Sequence, residues 1–445
     1  MWSSPRPGFP RPSSWTCDHL ASHPRELLTG FCRQDTWERA YHSYGYDRTD
    51  HAVFGRYPNP PNVVAHPRSE AELEAVLEWC ADKGHCVIPY GGGSSVVEGV
   101  TPPEDRGPIV TVALDQLDQV LEIDGESRAA RIQAGVFGPH LEDQLRPAGF
   151  TLRHFPQSFS GSTLGGWIAT RSGGHYGTNQ THIDDFVESV RMLTPRGWWE
   201  TRRLPASGAG PDPNRWVIGS EGALGVISEA WMRIQARPRF RAGASVQFTS
   251  WEAGCEASRQ IAQAKLWPAN FRLLDPELAA GSAGLTGAHS LLIIGFESSE
   301  MSQRWNIDQA VAIARASGGI VDDSGISVDD GDGKASSGAG ASGAWRQAFI
   351  SGGTGIGAAA GLGLVAGTFE TAITWDRGRA STPPFGPPPW TPCAKSVEAA
   401  ASTVDSATST PMAPPRTTRT WALSGTAPTT SNSSGPSSRR PQRRS

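Results

Sequence analysis

Cys86-Val87-Ile88-Pro89-Tyr90-Gly91-Gly92-Gly93-Ser94-Ser95 is a short apolar strand that runs straight into three glycines. Glycine lacks a Cβ, so it ends the strand and lets backbone amides approach an anion without interference. Upstream, Ser69-Glu70-Ala71-Glu72 has capping-box spacing, and Leu73, Val76, Leu77 and Cys80 recur at helical intervals until Gly84. The order is helix, strand, glycine loop. No Lys follows the glycines, as a Walker loop requires, and Val96 stands where a dinucleotide fingerprint has its third glycine. On residues alone, Pro89, Tyr90, Gly91, Gly92, Gly93, Ser94 and Ser95 read equally as a pyrophosphate cradle or as a glycine-rich turn.

Downstream, Ile109 to Ala113, Gln119 to Ile123 and Ala130 to Ala134 read as strands, and Gly138 to Leu145 as a helix before a turn at Gly149. Two further small-residue clusters follow, Pro156 to Gly174 and Ile218 to Ile227. Singly, each is a turn or a helix packed closely through glycines, with Ser162 or Thr163 as its N-cap. Residues 240–375 resume with a strand at Ser245 to Phe248, a helix over Glu252 to Lys265, a strand at Ser290 to Phe296 and a helix over Asn306 to Ala316. A chain of 445 residues exceeds one core and suggests two or three units.

A net charge of −4 argues against nucleic acid as a partner and favours a small molecule. The six cysteines are too sparse for a disulfide scaffold and lack zinc-ribbon spacing. No apolar run approaches the roughly 20 residues of a membrane span, and Met1 to Leu28 is broken by prolines, so a cytoplasmic protein is expected. The histidines show no clustered His/carboxylate set, so no metal is expected; His175 and His182 receive no catalytic role.

Three Gly/Ser loops in this order, separated by β-rich segments, resemble the FAD-binding domain of the vanillyl-alcohol-oxidase superfamily (PCMH-type). Within it the chain is most similar to the alkyldihydroxyacetonephosphate synthase branch. The resemblance runs through His182-Ile183-Asp184-Asp185-Phe186-Val187-Glu188 and covers about residues 60–377. It implies an α+β fold: an irregular lead-in (1–60), a two-subdomain FAD-binding domain (61–237), an α+β cap or substrate domain (238–377) and a disordered or frameshifted tail (378–445). It also implies that FAD, bound noncovalently, is held by Pro89, Tyr90, Gly91, Gly92, Gly93, Ser94 and Ser95. A second segment, Pro156, Gln157, Ser158, Phe159, Ser160, Gly161 and Ser162 with Ala169, Thr170, Arg171 and Ser172, would continue around the cofactor. Glu221, Gly222, Ala223, Leu224, Gly225, Val226 and Ile227 would line its far side.

In the cap, Ala269 to Asp275 resembles the family segment whose arginine binds substrate phosphate, which points to Arg272; the residues alone favour a surface arginine near Asp275. Phe369 to Arg377 is a further match, with polar residues that order the cap. The implied activity exchanges the acyl group of an acylated dihydroxyacetone phosphate for a fatty alcohol, using flavin without net redox change. An FAD-linked oxidase or dehydrogenase of a hydroxylated small molecule is the alternative, and a flavin-binding protein without turnover the third. A lipid-like substrate, peripheral membrane contact and a homodimer are compatible with the resemblance.

Beyond Arg377 the composition turns to Ser, Thr, Pro, Ala and Arg, and no Tyr or His occurs. The family's tyrosine segment and histidine cluster are absent from this stretch. One admissible set of codons for Ser409 to Thr420, reread one nucleotide earlier, gives Tyr-Pro-Asp-Gly-Ala-Pro-Pro-Tyr-Tyr-Thr-Tyr, which resembles that tyrosine segment and favours a frameshift over a natural disordered tail. No catalytic residue is assigned.

Overall fold

Ser69 starts the helix Glu70–Lys83 by accepting the Glu72 amide on its hydroxyl, and Gly84 ends it in the left-handed region at φ 69°. The Glu72 carboxylate turns to the Arg68 amide, at 2.7 Å, and to the Arg68 guanidinium, because a charged donor strengthens the contact. The structure, a computed structural model, describes residues 28–48, 57–176, 182–283, 288–321 and 325–331, the strands Leu364–Phe369, Lys395–Glu398 and Arg416–Ser424, and a few residues between these.

The strand Cys86–Tyr90 lies at one edge of a four-stranded sheet, parallel to Ile109–Ala113, which is parallel in turn to Val63–Ala65; Cys32–Arg33 closes the other edge antiparallel. Ile109–Ala113 is buried along its whole length, as a strand covered on both faces must be. A five-stranded antiparallel sheet follows, in the order Val120–Asp124, Ala129–Gln133, Val226–Arg233, Val187–Thr194 and Gly197–Glu200. One apolar cluster, from Leu28 to Ile234, serves both sheets.

A second cluster lies under the third sheet, where helices Trp251–Gln263 and Arg304–Ala316 cover Phe240–Phe248, Ser290–Ser298 and Asn270–Leu274. The architecture is α+β. Among the described residues no helix is long and apolar enough to cross a membrane.

Two expectations change. The lead-in is not wholly irregular: Asp35 caps the helix Thr36–Tyr41 by accepting the Glu38 amide at 3.1 Å, and Leu28 and Phe31 join the first core. The tail is not without regular structure either, since Lys395–Glu398 and Arg416–Ser424 extend the third sheet beside Asn270–Leu274. Thr417, Thr418, Thr420, Trp421 and Leu423 favour extended backbone, and ladder pairing requires only main-chain groups. Within Phe369 to Arg377, Trp375 packs on the cap core; residues 370–373 and 376–377 lie outside the described residues.

Candidate functional site

The three Gly/Ser segments converge. A Cβ on Gly92 would lie 2.1 Å from the Gly161 carbonyl oxygen, and one on Gly91 would lie 2.3 Å from Thr163 Oγ1, so the first loop sits directly on the second. Glu221 and Gly219 donate their amides to Ala169 O and Ile168 O at 2.9 and 3.0 Å, which docks the third segment on the second. Gly222 lies against Pro89, so the third also reaches the first. Gly93, Arg171, Glu221, Gly222 and Gly225 all have positive φ. Left-handed residues outside glycine are costly and concentrate where backbone groups are aimed at a ligand.

Among the described residues, the amides of Gly91, Gly93, Ser94 and Ser95 donate to no protein acceptor. Ser95 Oγ accepts from Gly99 N at 3.1 Å, so its hydroxyl proton is still to be donated. Such a run of amides with a left-handed glycine is an anion-binding concavity, and it fits a diphosphate. Partial desolvation raises the carboxyl of Glu221, an exposed residue, above its ordinary range.

Several residues of the second segment serve the scaffold. Ser162 Oγ donates to Ser158 O at 2.8 Å and accepts from Trp167 Nε1 at 2.7 Å, while Thr163 caps the helix Leu164–Ala169. Phe159 is buried and stacks with Trp167; Pro156 is buried too, whereas Gln157 and Ser160 are exposed. Thr170 Oγ1 donates to Gly166 O, and Arg171 reaches Asp184 at 3.2 Å. On the third segment Ala223 and Leu224 are exposed, whereas Val226 and Ile227 send their side chains into the core.

Arg272 is buried in the cap sheet at 4% exposure, which overturns the surface-arginine alternative. Its Nη2 lies 3.5 Å from Gly174 O, and neighbouring Asn270 Nδ2 lies 3.0 Å from His175 Nε2. The cap strand therefore meets the loop that continues the second segment. Asp275 instead caps the next helix by accepting the Leu278 amide. His182 caps the short helical turn Ile183–Asp185.

Two residues at this seam escaped sequence reasoning. Arg153, at φ 64°, forms a two-pronged ion pair with Glu297 of the cap and lies 3.8 Å over the Tyr176 ring. Arg128, Arg153, Tyr176, Arg233, Ala269 and Glu297 line a cleft of about 410 Å³, of which Arg272 is not part. Next to Arg153, His154 packs between Trp167 and Phe186 and shares a 2.7 Å hydrogen bond with Ser172 Oγ. Burial, reinforced by the charge of His182, lowers its pKa to about 3. Neither residue lies in a pattern that distinguishes it from any other Arg-His pair.

The expected absence of a His/carboxylate cluster is also corrected. Glu38, His42 and His66 bring ligand atoms within 4.8 Å of one another. Burial alone would lower His66, but hydrogen bonds to Asp115 and Glu38 and their charges outweigh it and raise the pKa to about 9. Sequence spacing hides the cluster because Glu38 and His42 belong to a helix whereas His66 follows the strand Val63–Ala65.

An FAD binding domain profile matches residues 61–201, and one for the C-terminal domain of FAD linked oxidases matches residues 237–379. The chain belongs to the FAD-linked oxidase family. Alkyldihydroxyacetonephosphate synthase of Dictyostelium discoideum is 34% identical over 259 residues, 57% of this chain and 42% of that protein. Glycolate oxidase subunit GlcD of Bacillus subtilis is 29% identical over 234 residues, 52% of this chain and 48% of its own length. A solved structure of alkyldihydroxyacetonephosphate synthase superposes with a TM-score of 0.70 at 25% identity, covering 81% of this chain and 71% of that one. The chain thus spans less than half the length of these two sequence relatives. FAD is the cofactor of this FAD-linked oxidase fold, and the unbonded amides of Gly91, Gly93, Ser94 and Ser95 fit its diphosphate.

Proposed function

We propose that the chain is an FAD enzyme of the alkyldihydroxyacetonephosphate synthase type, replacing the acyl group of an acylated dihydroxyacetone phosphate by a fatty alcohol. The observation that carries this is the approach of buried Arg272 to Gly174, on the loop that continues the second Gly/Ser segment. Gly91, Gly93, Ser94 and Ser95 hold the diphosphate through their amides, and Ala169 to Ser172 with Glu221 to Gly225 continue around the cofactor. The bound flavin supplies an electrophilic ring system. Arg272 fixes the substrate phosphate in a two-pronged contact, its guanidinium already removed from water. Arg153 and Glu297 tie the cap to the FAD-binding half beside this seam.

Purified protein supplied with an acylated dihydroxyacetone phosphate and a labelled fatty alcohol is expected to yield labelled ether product and one fatty acid per turnover. Ether formation independent of bound FAD overturns the proposal. The similarity to glycolate oxidase subunit GlcD supports the alternative, an oxidase or dehydrogenase of a hydroxylated small molecule. Bleaching of the flavin by 2-hydroxy acids, without alkyl exchange, selects it.

The same reading includes a cytoplasmic location, a homodimer and peripheral contact with a lipid surface, tested by fractionation, light scattering and vesicle flotation. It also includes a displaced frame in the codons after Arg377, which makes the chain as written a weak catalyst. Resequencing the gene across residues 320–445 tests that directly, and a frame-restored variant is expected to gain alkyl-transfer activity; equal turnover by both forms refutes it.

A further inference from the structure

Glu38 lies in the first turn of the helix Thr36–Tyr41 and His42, four residues on, is its C-cap, so one helix face presents both side chains. His66 follows the strand Val63–Ala65 and is anchored by its amide, which donates to Phe31 O at 2.8 Å. The packing of helix on sheet brings Glu38 Oε2 to 3.2 Å from His42 Nδ1 and to 3.5 Å from His66 Nε2. Four ligands about 2.0–2.1 Å from a tetrahedral ion are separated from each other by about 3.3–3.4 Å, so these two edges fall within about 0.2 Å of that length, and the third, between the two histidine nitrogens, is within 4.8 Å.

Two further observations point the same way. Glu38 Oε2 and His66 Nε2 are buried and face each other 3.5 Å apart, an ion-pair contact longer than a normal N–H···O hydrogen bond. Asp115 Oδ1 lies 2.8 Å from His66 Nδ1, the second carboxylate that orients a metal-bound imidazole; with Nδ1–H held there, an incoming ion displaces the Nε2 proton and takes that lone pair. His42 Nδ1 also lies 2.9 Å from the Glu38 main-chain oxygen, so metal capture exchanges that hydrogen bond for a metal bond.

We infer that Glu38, His42 and His66 form a binding site for a divalent transition-metal ion of the zinc class, with Asp115 positioning His66 and water as the fourth ligand. Two imidazoles and one carboxylate favour zinc over magnesium or calcium, which take oxygen ligands. The ion ties the N-terminal helix to the first sheet. Its neighbour is the strand that opens the glycine loop, since the His42 ring packs edge-on to Tyr90 at 4.7 Å. The site adjoins the first cofactor segment at Tyr90 but shares no ligand with it, and it stands whether or not the proposed alkyl exchange does.

The test uses the full chain with FAD bound, stripped with a chelator and titrated with zinc against a fluorescent competitor. One tight equivalent is expected, together with a higher unfolding temperature, whereas magnesium and calcium leave both unchanged. Glu38→Gln keeps the size of the side chain but removes its charge and is expected to lose that equivalent. Asp115→Asn is expected to weaken zinc by roughly 10- to 100-fold. Cobalt loaded into the unmodified protein is expected to give the intense visible absorption of a tetrahedral site, which decides the matter even if a variant fails to fold. A weak octahedral cobalt spectrum, or equal zinc binding by unmodified and Glu38→Gln protein, overturns the inference and leaves a histidine–carboxylate network with adventitious surface binding.

Discussion

Replacing Gly92 by alanine adds a single methyl group where there is no space for one. Its Cβ would stand 2.1 Å from the Gly161 carbonyl oxygen and 2.7 Å from Ser162 Cα, where ordinary contact begins at 3.4 Å. Both obstacles are backbone, so no side chain can rotate away, and the two cofactor segments must separate by more than an ångström. Overpacking of this kind costs about 1–3 kcal/mol. If the strain falls on the FAD-competent arrangement, affinity falls by roughly 5- to 150-fold at about 1.4 kcal/mol per tenfold change. An aspartate at this position adds charge to the same collision, so it cannot separate steric from electrostatic effects. Ser94→Asp separates them, because Ser94 already has a Cβ and the change places a carboxylate beside an unbonded amide. The assay is the ratio of flavin to protein absorbance after gel filtration, followed by an FAD titration of stripped protein. Both variants are expected to lose flavin, Gly92→Ala also with a lower unfolding temperature. Gly92→Ala protein that keeps unmodified FAD content and affinity refutes the close packing of these loops as the basis of binding.

Arg272→Ala is expected to weaken phosphorylated ligands far more than their dephosphorylated counterparts, by about 2–5 kcal/mol for loss of a buried charge partner, measured by competitive binding; equal losses for both would make Arg272 structural. Glu297→Gln leaves Arg153 buried without its countercharge and is expected to cost about 3 kcal/mol in chemical denaturation, partly recovered by the apolar pair Arg153→Met with Glu297→Leu. His154 is held neutral, with a pKa lowered to about 3 from 6.5, so the unfolded chain binds the extra proton first. Its contribution is therefore complete above about pH 6.5 and is lost as pH falls toward 3, at up to about 1.4 kcal/mol per pH unit. The stability slope between pH 6.5 and 5 is expected to be shallower in His154→Gln, and an unchanged slope would show that His154 is not the group responsible.

Local order was legible in the sequence because it is set by neighbours within one turn or one strand. Ser69 and Gly84 bound their helix as spacing predicts, Gly138–Leu145 is a helix, and the strand before Gly91 ends at Tyr90. Small errors fell at the edges: the strand expected at Gln119 to Ile123 runs Val120–Asp124, and that expected at Ser245 to Phe248 begins at Phe240. Alternation continues through Ala242 and Ala244, whose small side chains give a weak apolar signal although both are buried.

The sequence by itself thus determined several helices and strands and, through the resemblance they carry, the α+β FAD-binding fold. Only the tertiary structure decided what those elements hold together. Three Gly/Ser loops could each have been a turn until their backbones proved to touch at Gly92, Gly161 and Ala169. Arg272 looked exposed because a strand of five residues does not announce how many faces are covered. Arg153 and Glu297 stand 144 positions apart, and His66 stands 24 from His42, and no periodicity reaches across such distances. Hydrogen bonding and side-chain periodicity act over a few residues, whereas close approach between distant segments depends on the path of the whole chain and on the packing of one sheet against another.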